Sequence, residues 1–330
     1  MSPKPNQFSK FLSFAKLAVL VGIVLWIVTT FPKKDWDSLV AQEKNWWLLG
    51  QAFFVVLLAH LVTYWRWQIL VQALGVPMRL AEAVRLGFLG TLLNLVSVGA
   101  VGGDVFKAIE AARNTDKKRA EVVASVLVDR AVGLLGLVLI ASVSLSFAQD
   151  LSIRMTWIWY GAMVLGLIGL SGMIAIVILG HRFPIKWLTR IPIVGHVLHR
   201  VVHACMIFQG RPRLVCEMLI SSLVVHSCLT LGCTLISNSL YSKCPSIGQH
   251  FMTIPPAMAA ATLPITPGGV GVQEIAIQSL FNEWPDIPAN YSGLIMATVL
   301  RAMLICIALI GAVYYFTGMG GEKRKIVASS

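Results

Sequence analysis

Residues Leu263-Pro264-Ile265-Thr266-Pro267-Gly268-Gly269-Val270-Gly271-Val272-Gln273-Glu274 interrupt an otherwise apolar stretch. Pro264, Pro267, Gly268, Gly269 and Gly271 break a helix there, and the break ends on an acid. A second break of the same kind is Gly102-Gly103-Asp104. Each leads into a long apolar segment with an embedded arginine, Arg130 after the first and Arg301 after the second. Ionisable groups are costly inside a membrane unless they have a task. Interrupted helices in corresponding parts of two halves point to a binding site near the bilayer midplane.

The composition agrees with a membrane setting. Of 330 residues, 57% are hydrophobic and 13% charged, and the mean hydropathy is +0.76. This is an all-α polytopic membrane protein, read as a single integral membrane domain over 1–330. The net charge of +12 does not indicate nucleic acid, because the basic residues lie in loops between apolar segments. They read as topology determinants and contacts to anionic lipid. The six cysteines, 205, 216, 228, 233, 244 and 306, include no C-x-x-C pair and read as small buried hydrophobes.

Six segments are long enough to span: about 11–31, 46–70, 121–148, 156–180, 214–240 and 292–317. The first reads as an uncleaved span, since Thr29-Thr30-Phe31-Pro32-Lys33 stands where a small-residue cleavage site would be. Residues 84–101 and 251–282 are apolar but marginal. If neither crosses fully, the strongly basic loops 71–120 and 181–213 and the tail with Lys323, Arg324 and Lys325 all fall on the cytoplasmic side. If 84–101 crossed, the basic loops 103–120 and 181–213 would both move outside. The charge pattern therefore predicts two re-entrant segments, with both termini inside. Half-repeat 1 spans about 11–148 and half-repeat 2 about 156–317. Each has three crossings, so the second half is inverted relative to the first. Loop 181–213 has the apolar spacing of helices lying in the interface. Its His196, His199 and His203 have no acid beside them and read as surface histidines rather than metal ligands.

The ionisable residues expected at depth are Asp104, Lys107, Asp129, Arg130, Glu274 and Arg301. Arginine suits planar, bidentate phosphate recognition, and helix N-termini opened by glycine favour anions. Together they predict a cage for a phosphate headgroup, with the acids neutralising the arginines when the cage is empty, contacting an amine on the substrate or carrying a coupling proton. The competing reading is that buried acid–arginine pairs only hold helices together. Arg66, between Trp65 and Trp67, reads as a snorkelling anchor. His60 and His226 read as satisfied core histidines, and Asn94 as a cap or an interhelical bond. No Walker A loop, nucleophile elbow or zinc-protease motif is present, so neither catalysis nor a cofactor or metal is expected.

The motifs Asn94 through Gly102-Gly103-Asp104-Val105-Phe106-Lys107-Ala108, Ser125-Val126-Leu127-Val128-Asp129-Arg130 with Gly133, Leu263 through Glu274, and Arg301 resemble those of the lysylphosphatidylglycerol synthase transmembrane-region family. Arg66-Trp67 and Leu70 resemble a weaker early motif. The likeness covers essentially the whole chain. Two departures stand out: Ser97-Val98-Gly99-Ala100 where a proline is common, and Lys107 where arginine is common. The family includes the flippase domain of the bacterial synthase/flippase. The resemblance implies lipid translocation in a bacterial cytoplasmic membrane, with a phosphate-bearing lipid as partner. It does not imply lysyl transfer, which resides in a cytosolic domain not seen in this sequence. Two other readings stand beside it: a membrane partner of a lipid-modifying enzyme or glycosyltransferase, and an intramembrane lipid-phosphate enzyme.

Overall fold

The computed structural model describes residues 43–94, 102–113, 119–182, 202, 205–262, 266 and 271–316. All but Glu43 belong to one compact unit, Lys44–Ser330. The described residues are helical, without strands: α1 Trp46–Ala73, α2 Leu80–Asn94, α3 Gly102–Arg113, α4 Arg119–Leu145, α5 Ile153–Leu179, α6 Pro212–Leu240, α7 Ile247–Ala261, α8 Val272–Phe281 and α9 Gly293–Phe316. Five of them, α1, α4, α5, α6 and α9, are long and apolar enough to cross a membrane. They coincide with five of the expected spans. The sixth, 11–31, lies outside the described residues. The chain is thus an all-helical, multi-pass membrane protein.

The first marginal segment begins within a short helix, α2, which a second short helix, α3, follows, and the second segment is a pair of short helices, α7 and α8. At about 1.5 Å per residue, the 15 residues of α2 reach about 22 Å and the 12 of α3 about 18 Å, short of a hydrocarbon core of about 30 Å. Helices α7 and α8, of 15 and 10 residues, are equally short. Each pair packs along itself. Helix α3 covers residues expected to be loop. Gly102 and Gly103, expected to break a helix, are its first residues. Of the second break, Pro264, Pro267, Gly268 and Gly269 lie outside the described residues. Gly271, at φ +82°, caps α8 in a conformation that favours glycine.

A sequence of helix lengths recurs. Helices α1 to α4 have 28, 15, 12 and 27 residues, and α6 to α9 have 29, 15, 10 and 24. Helices α1 and α6 share the largest interface. Helix α4 packs on α7, and α9 packs reciprocally on α2. Local chemistry explains the α4–α7 contact. Pro255 has no N–H for the carbonyl of Phe251, one turn earlier, and Ser144 Oγ of α4 donates to that carbonyl at 2.8 Å. Much of α5 faces outward, with Trp157, Ile168 and Ile178 largely exposed, as lipid contact requires. Its inner side joins α1, α4, α6 and Phe208 in a core.

Loop 181–213 falls mostly outside the described residues, and with it the expected interfacial helices. Its described end, Cys205–Phe208, is a 3₁₀ turn with Phe208 fully buried. Of the cysteines, Cys205 and Cys233 are buried as expected. Cys216 and Cys306 are exposed on apolar helices, where the membrane takes the place of a protein core.

The α2–α3 contact is the tightest test of this arrangement. A Cβ on Gly103 would lie 1.9 Å from the Gly90 carbonyl oxygen, whereas one on Gly172 of α5 would meet nothing within 4 Å. Gly103→Ala should therefore destabilise the detergent-solubilised protein by about 1–3 kcal/mol. Gly172→Ala should be neutral or stabilising, by up to about 1 kcal/mol. Thermal unfolding of the two variants checks the pair.

Candidate functional site

A group of polar residues of the apolar bundle lines one cavity of about 350 Å³. Helices from both halves of the recurring sequence line it. Asp104 and Lys107 come from α3, Asp129 and Arg130 from α4, Gln273 from α8 and Arg301 from α9. Of the six residues expected at depth, five line the cavity. Glu274 stands behind Arg301 as its partner.

Both acids at the breaks occupy the third position of a helix, where the N-terminal dipole favours a carboxylate. Glu274 uses both oxygens: Oε2 accepts the Gly271 N–H at 2.8 Å and Oε1 accepts Arg301 Nε at 2.8 Å. Asp104 is held by two cations. Lys107 Nζ lies 2.9 Å from its Oδ1, and Arg130 donates to its Oδ2. The two acid–arginine pairs have nearly the same separation in sequence, 26 residues for Asp104–Arg130 and 27 for Glu274–Arg301. Their exposure differs. The Arg301 side chain is 4% exposed and that of Arg130 is 33% exposed, so Arg130 is the cation a ligand reaches most readily. Lys107 is buried, its ammonium 4.8 Å from the centre of the Trp67 ring.

Arg66 corrects the sequence reading. It is not a snorkelling anchor but a buried group, its Nε donating to Asp129 Oδ1 at 2.8 Å. Its neighbour Trp65 points outward instead. Adjacent helical residues project about 100° apart, and Asp129 and Arg130 accordingly pair in different directions, toward α1 and α3. Arg66 thereby occupies Asp129 and leaves Arg130 to the cavity side. A partner 63 residues away gives no periodic signal. The available hint was that a charge between two tryptophans has one inward neighbour as well as one outward. Trp67 indeed points inward, its Nε1 donating to Ser125 Oγ at 3.1 Å.

Asn94 closes the first break, its Oδ1 accepting the Gly103 N–H at 2.9 Å. His60 Nδ1 donates to the Val56 carbonyl, and His226 Nε2 to the Gly133 carbonyl, each at 2.9 Å. Both also line the cavity, which the sequence did not reveal. Ala59, His60 and Thr63 on α1 and Val225, His226 and Leu229 on α6 stand at the same positions counted from Trp46 and Pro212. His250, buried without a role in the sequence reading, accepts from Ser237 Oγ at 2.8 Å and lies away from the cavity lining. Among the described residues, no group of three His, Cys, Asp or Glu side chains is placed to hold a metal ion.

Removing one member of a buried pair leaves the other charge uncompensated. Asp129→Ala should cost about 3–5 kcal/mol of stability. The exposed Arg213–Glu217 pair, at 93% and 37% exposure, should cost at most about 1 kcal/mol when cut by Arg213→Ala. Chemical denaturation in one detergent compares them directly.

No curated protein and no solved structure matches the chain. A family model does: residues 13–311 match the lysylphosphatidylglycerol synthase TM region. That stretch includes the residues that line the cavity, both breaks, the span of Arg130 and most of the span of Arg301, and the chain belongs to this family of membrane proteins.

Proposed function

We propose that this protein is a flippase that moves a phosphate-bearing lipid between the leaflets of a bacterial cytoplasmic membrane. The observation that carries the reading is the opening of Arg130 and Arg301 onto one cavity from opposite halves of the chain. Each is held by an acid at the start of a short helix. Arginines so placed recognise phosphate oxygens. A cavity of about 350 Å³ holds a headgroup and leaves acyl chains outside. Leu137, Val225, Leu229, Met258 and Leu304 supply apolar wall beside the charged groups.

The two halves act in this reading as an inverted repeat, α1–α4 against α6–α9, with α2–α3 and α7–α8 as re-entrant hairpins from opposite faces. The recurring helix lengths and the reciprocal packing of α4 on α7 and α9 on α2 support it. Rocking of one half against the other would expose the cavity to each leaflet in turn. The acids keep the arginines compensated between cycles, when bare cations at depth would cost about 2.5–3.5 kcal/mol each.

Reconstitution in proteoliposomes tests the site. Arg130→Ala and Arg301→Ala should each lower headgroup translocation at least about tenfold, while Arg213→Ala should leave it unchanged. Full transport by folded Arg130→Ala/Arg301→Ala protein would sink the assignment. Topology has its own check: a cysteine replacing Lys117 should be shielded from an impermeant reagent added outside intact cells.

A further inference from the structure

The hydroxyls and imidazoles around the cavity give their protons to the protein itself. A carbonyl oxygen only accepts, so a hydroxyl or ring nitrogen bonded to it donates. Thr63 Oγ1 lies 2.9 Å from the Ala59 carbonyl oxygen, Thr91 Oγ1 3.1 Å from that of Gly87 and Thr262 Oγ1 2.7 Å from that of Ala259. With the Thr91 proton so placed, Tyr64 OH is the donor in its 2.6 Å bond to Thr91 Oγ1. His60 Nδ1 and His226 Nε2 likewise hold the ring proton on the carbonyls of Val56 and Gly133. In a neutral ring the other nitrogen is then a bare lone pair. His226 Nδ1 is buried with no hydrogen-bond partner, and among the described residues none hydrogen-bonds His60 Nε2. All six of these side chains line the cavity, and what they retain is acceptor capacity. Two lining amides differ. The oxygen of Asn94 accepts the Gly103 N–H and that of Gln273 accepts Arg301 Nη2, so both keep an NH2 group as donor.

We infer that the ligand carries hydroxyl groups beside its phosphate, as a glycerol or sugar headgroup does, and that a wall of α1 and α2 reads them. This rests on the lipid reading above and adds the chemistry of the headgroup to it. His60, Thr63 and Tyr64 stand at i, i+3 and i+4, on one side of α1, and Thr91 of α2 is bonded to Tyr64. A phosphodiester only accepts, so it suits the arginines and leaves the acceptors of this wall unanswered. A hydroxyl both donates and accepts. It gives its proton to a ring nitrogen or a hydroxyl oxygen and takes one from an amide. An ammonium group only donates, and as a buried cation it needs a carboxylate. Asp104, Asp129 and Glu274 are each already bonded to a lysine or arginine. A site that hydrogen-bonds a hydroxyl rejects the analogue lacking it, because its own polar groups are then left unpaired.

The test is competition for the purified full-length protein in mixed micelles, read by native mass spectrometry of the retained lipid. The competitors are phosphatidylglycerol, phosphatidylpropanol and phosphatidylethanolamine in equal amounts. The first two have the same charge and the same number of headgroup carbons, and only the glycerol headgroup has hydroxyls. Wild type should retain phosphatidylglycerol over either of the others by about tenfold. Thr63→Val and His60→Phe each remove an acceptor and should each lower the ratio of phosphatidylglycerol to phosphatidylpropanol at least about threefold. Ser171→Ala, at an exposed hydroxyl of α5 away from the cavity lining, should leave the ratio unchanged.

Equal retention of phosphatidylglycerol and phosphatidylpropanol by wild type overturns the hydroxyl inference while leaving a phosphate-lipid transporter standing, and needs no variant to fold. Retention of phosphatidylethanolamine above phosphatidylglycerol overturns it in favour of an amine. A preference kept in full by folded Thr63→Val and His60→Phe proteins overturns the wall assigned to it. If no phospholipid is retained above detergent background, the lipid reading falls. Water-soluble glycerophosphoglycerol retained over glycerophosphopropanol then supports hydroxyl recognition with a soluble diester as its source, and retention of neither removes both readings.

Discussion

Carboxylates inside this apolar bundle are each held by an arginine from a different helix. Asp104 on α3 is held by Arg130 on α4, Asp129 on α4 by Arg66 on α1, and Glu274 on α8 by Arg301 on α9. Charges in such surroundings must find partners, and here the partners join the short helices to the long ones. The cavity exists because these groups meet where the breaks prevent helices from continuing. The short helices α3 and α8 carry the acids in their first turns.

Neutralisation has a mechanical consequence. A pair whose every donor and acceptor is used resists exchange, as Glu274 does with Gly271 and Arg301 both on it. A carboxylate shared by two cations can release one of them without becoming an unpaired charge. Asp104 is such a carboxylate, so the two superficially similar pairs differ in kind. Glu274 joins Arg301 to the backbone of Gly271, whereas Asp104 joins two side-chain cations.

Much of this was legible in the sequence because its cause is local. Long apolar runs mark the spans, basic loops separate the marginal segments from them, and glycine followed by an acid marks a helix start. Site residues near the breaks could be named for the same reason. What could not be read depends on distant partners. Arg66 finds Asp129 across 63 residues, and its flanking tryptophans hint at an inward neighbour without naming a partner. His60 and His226 share a position on their helices, but that equivalence shows only once α1 and α6 have known starts. Helix α3 was hidden because its charges, Lys107 and Glu110 among them, resemble those of a cytoplasmic loop.

The two halves share a plan of helices but not a distribution of charge. Counted from the starts of α1 and α6, Arg66 corresponds to Gly232, and counted from α3 and α8, Lys107 corresponds to Ile277. Ile277 is fully buried in apolar surroundings, and Gly232 lets Val56 approach so closely that a Cβ would lie 2.6 Å from it. An apolar side chain and a glycine thus stand in the second half where the first has two cations. Among the described residues, Asp104 accordingly meets both Lys107 and Arg130, whereas Glu274 meets Arg301 and a backbone N–H.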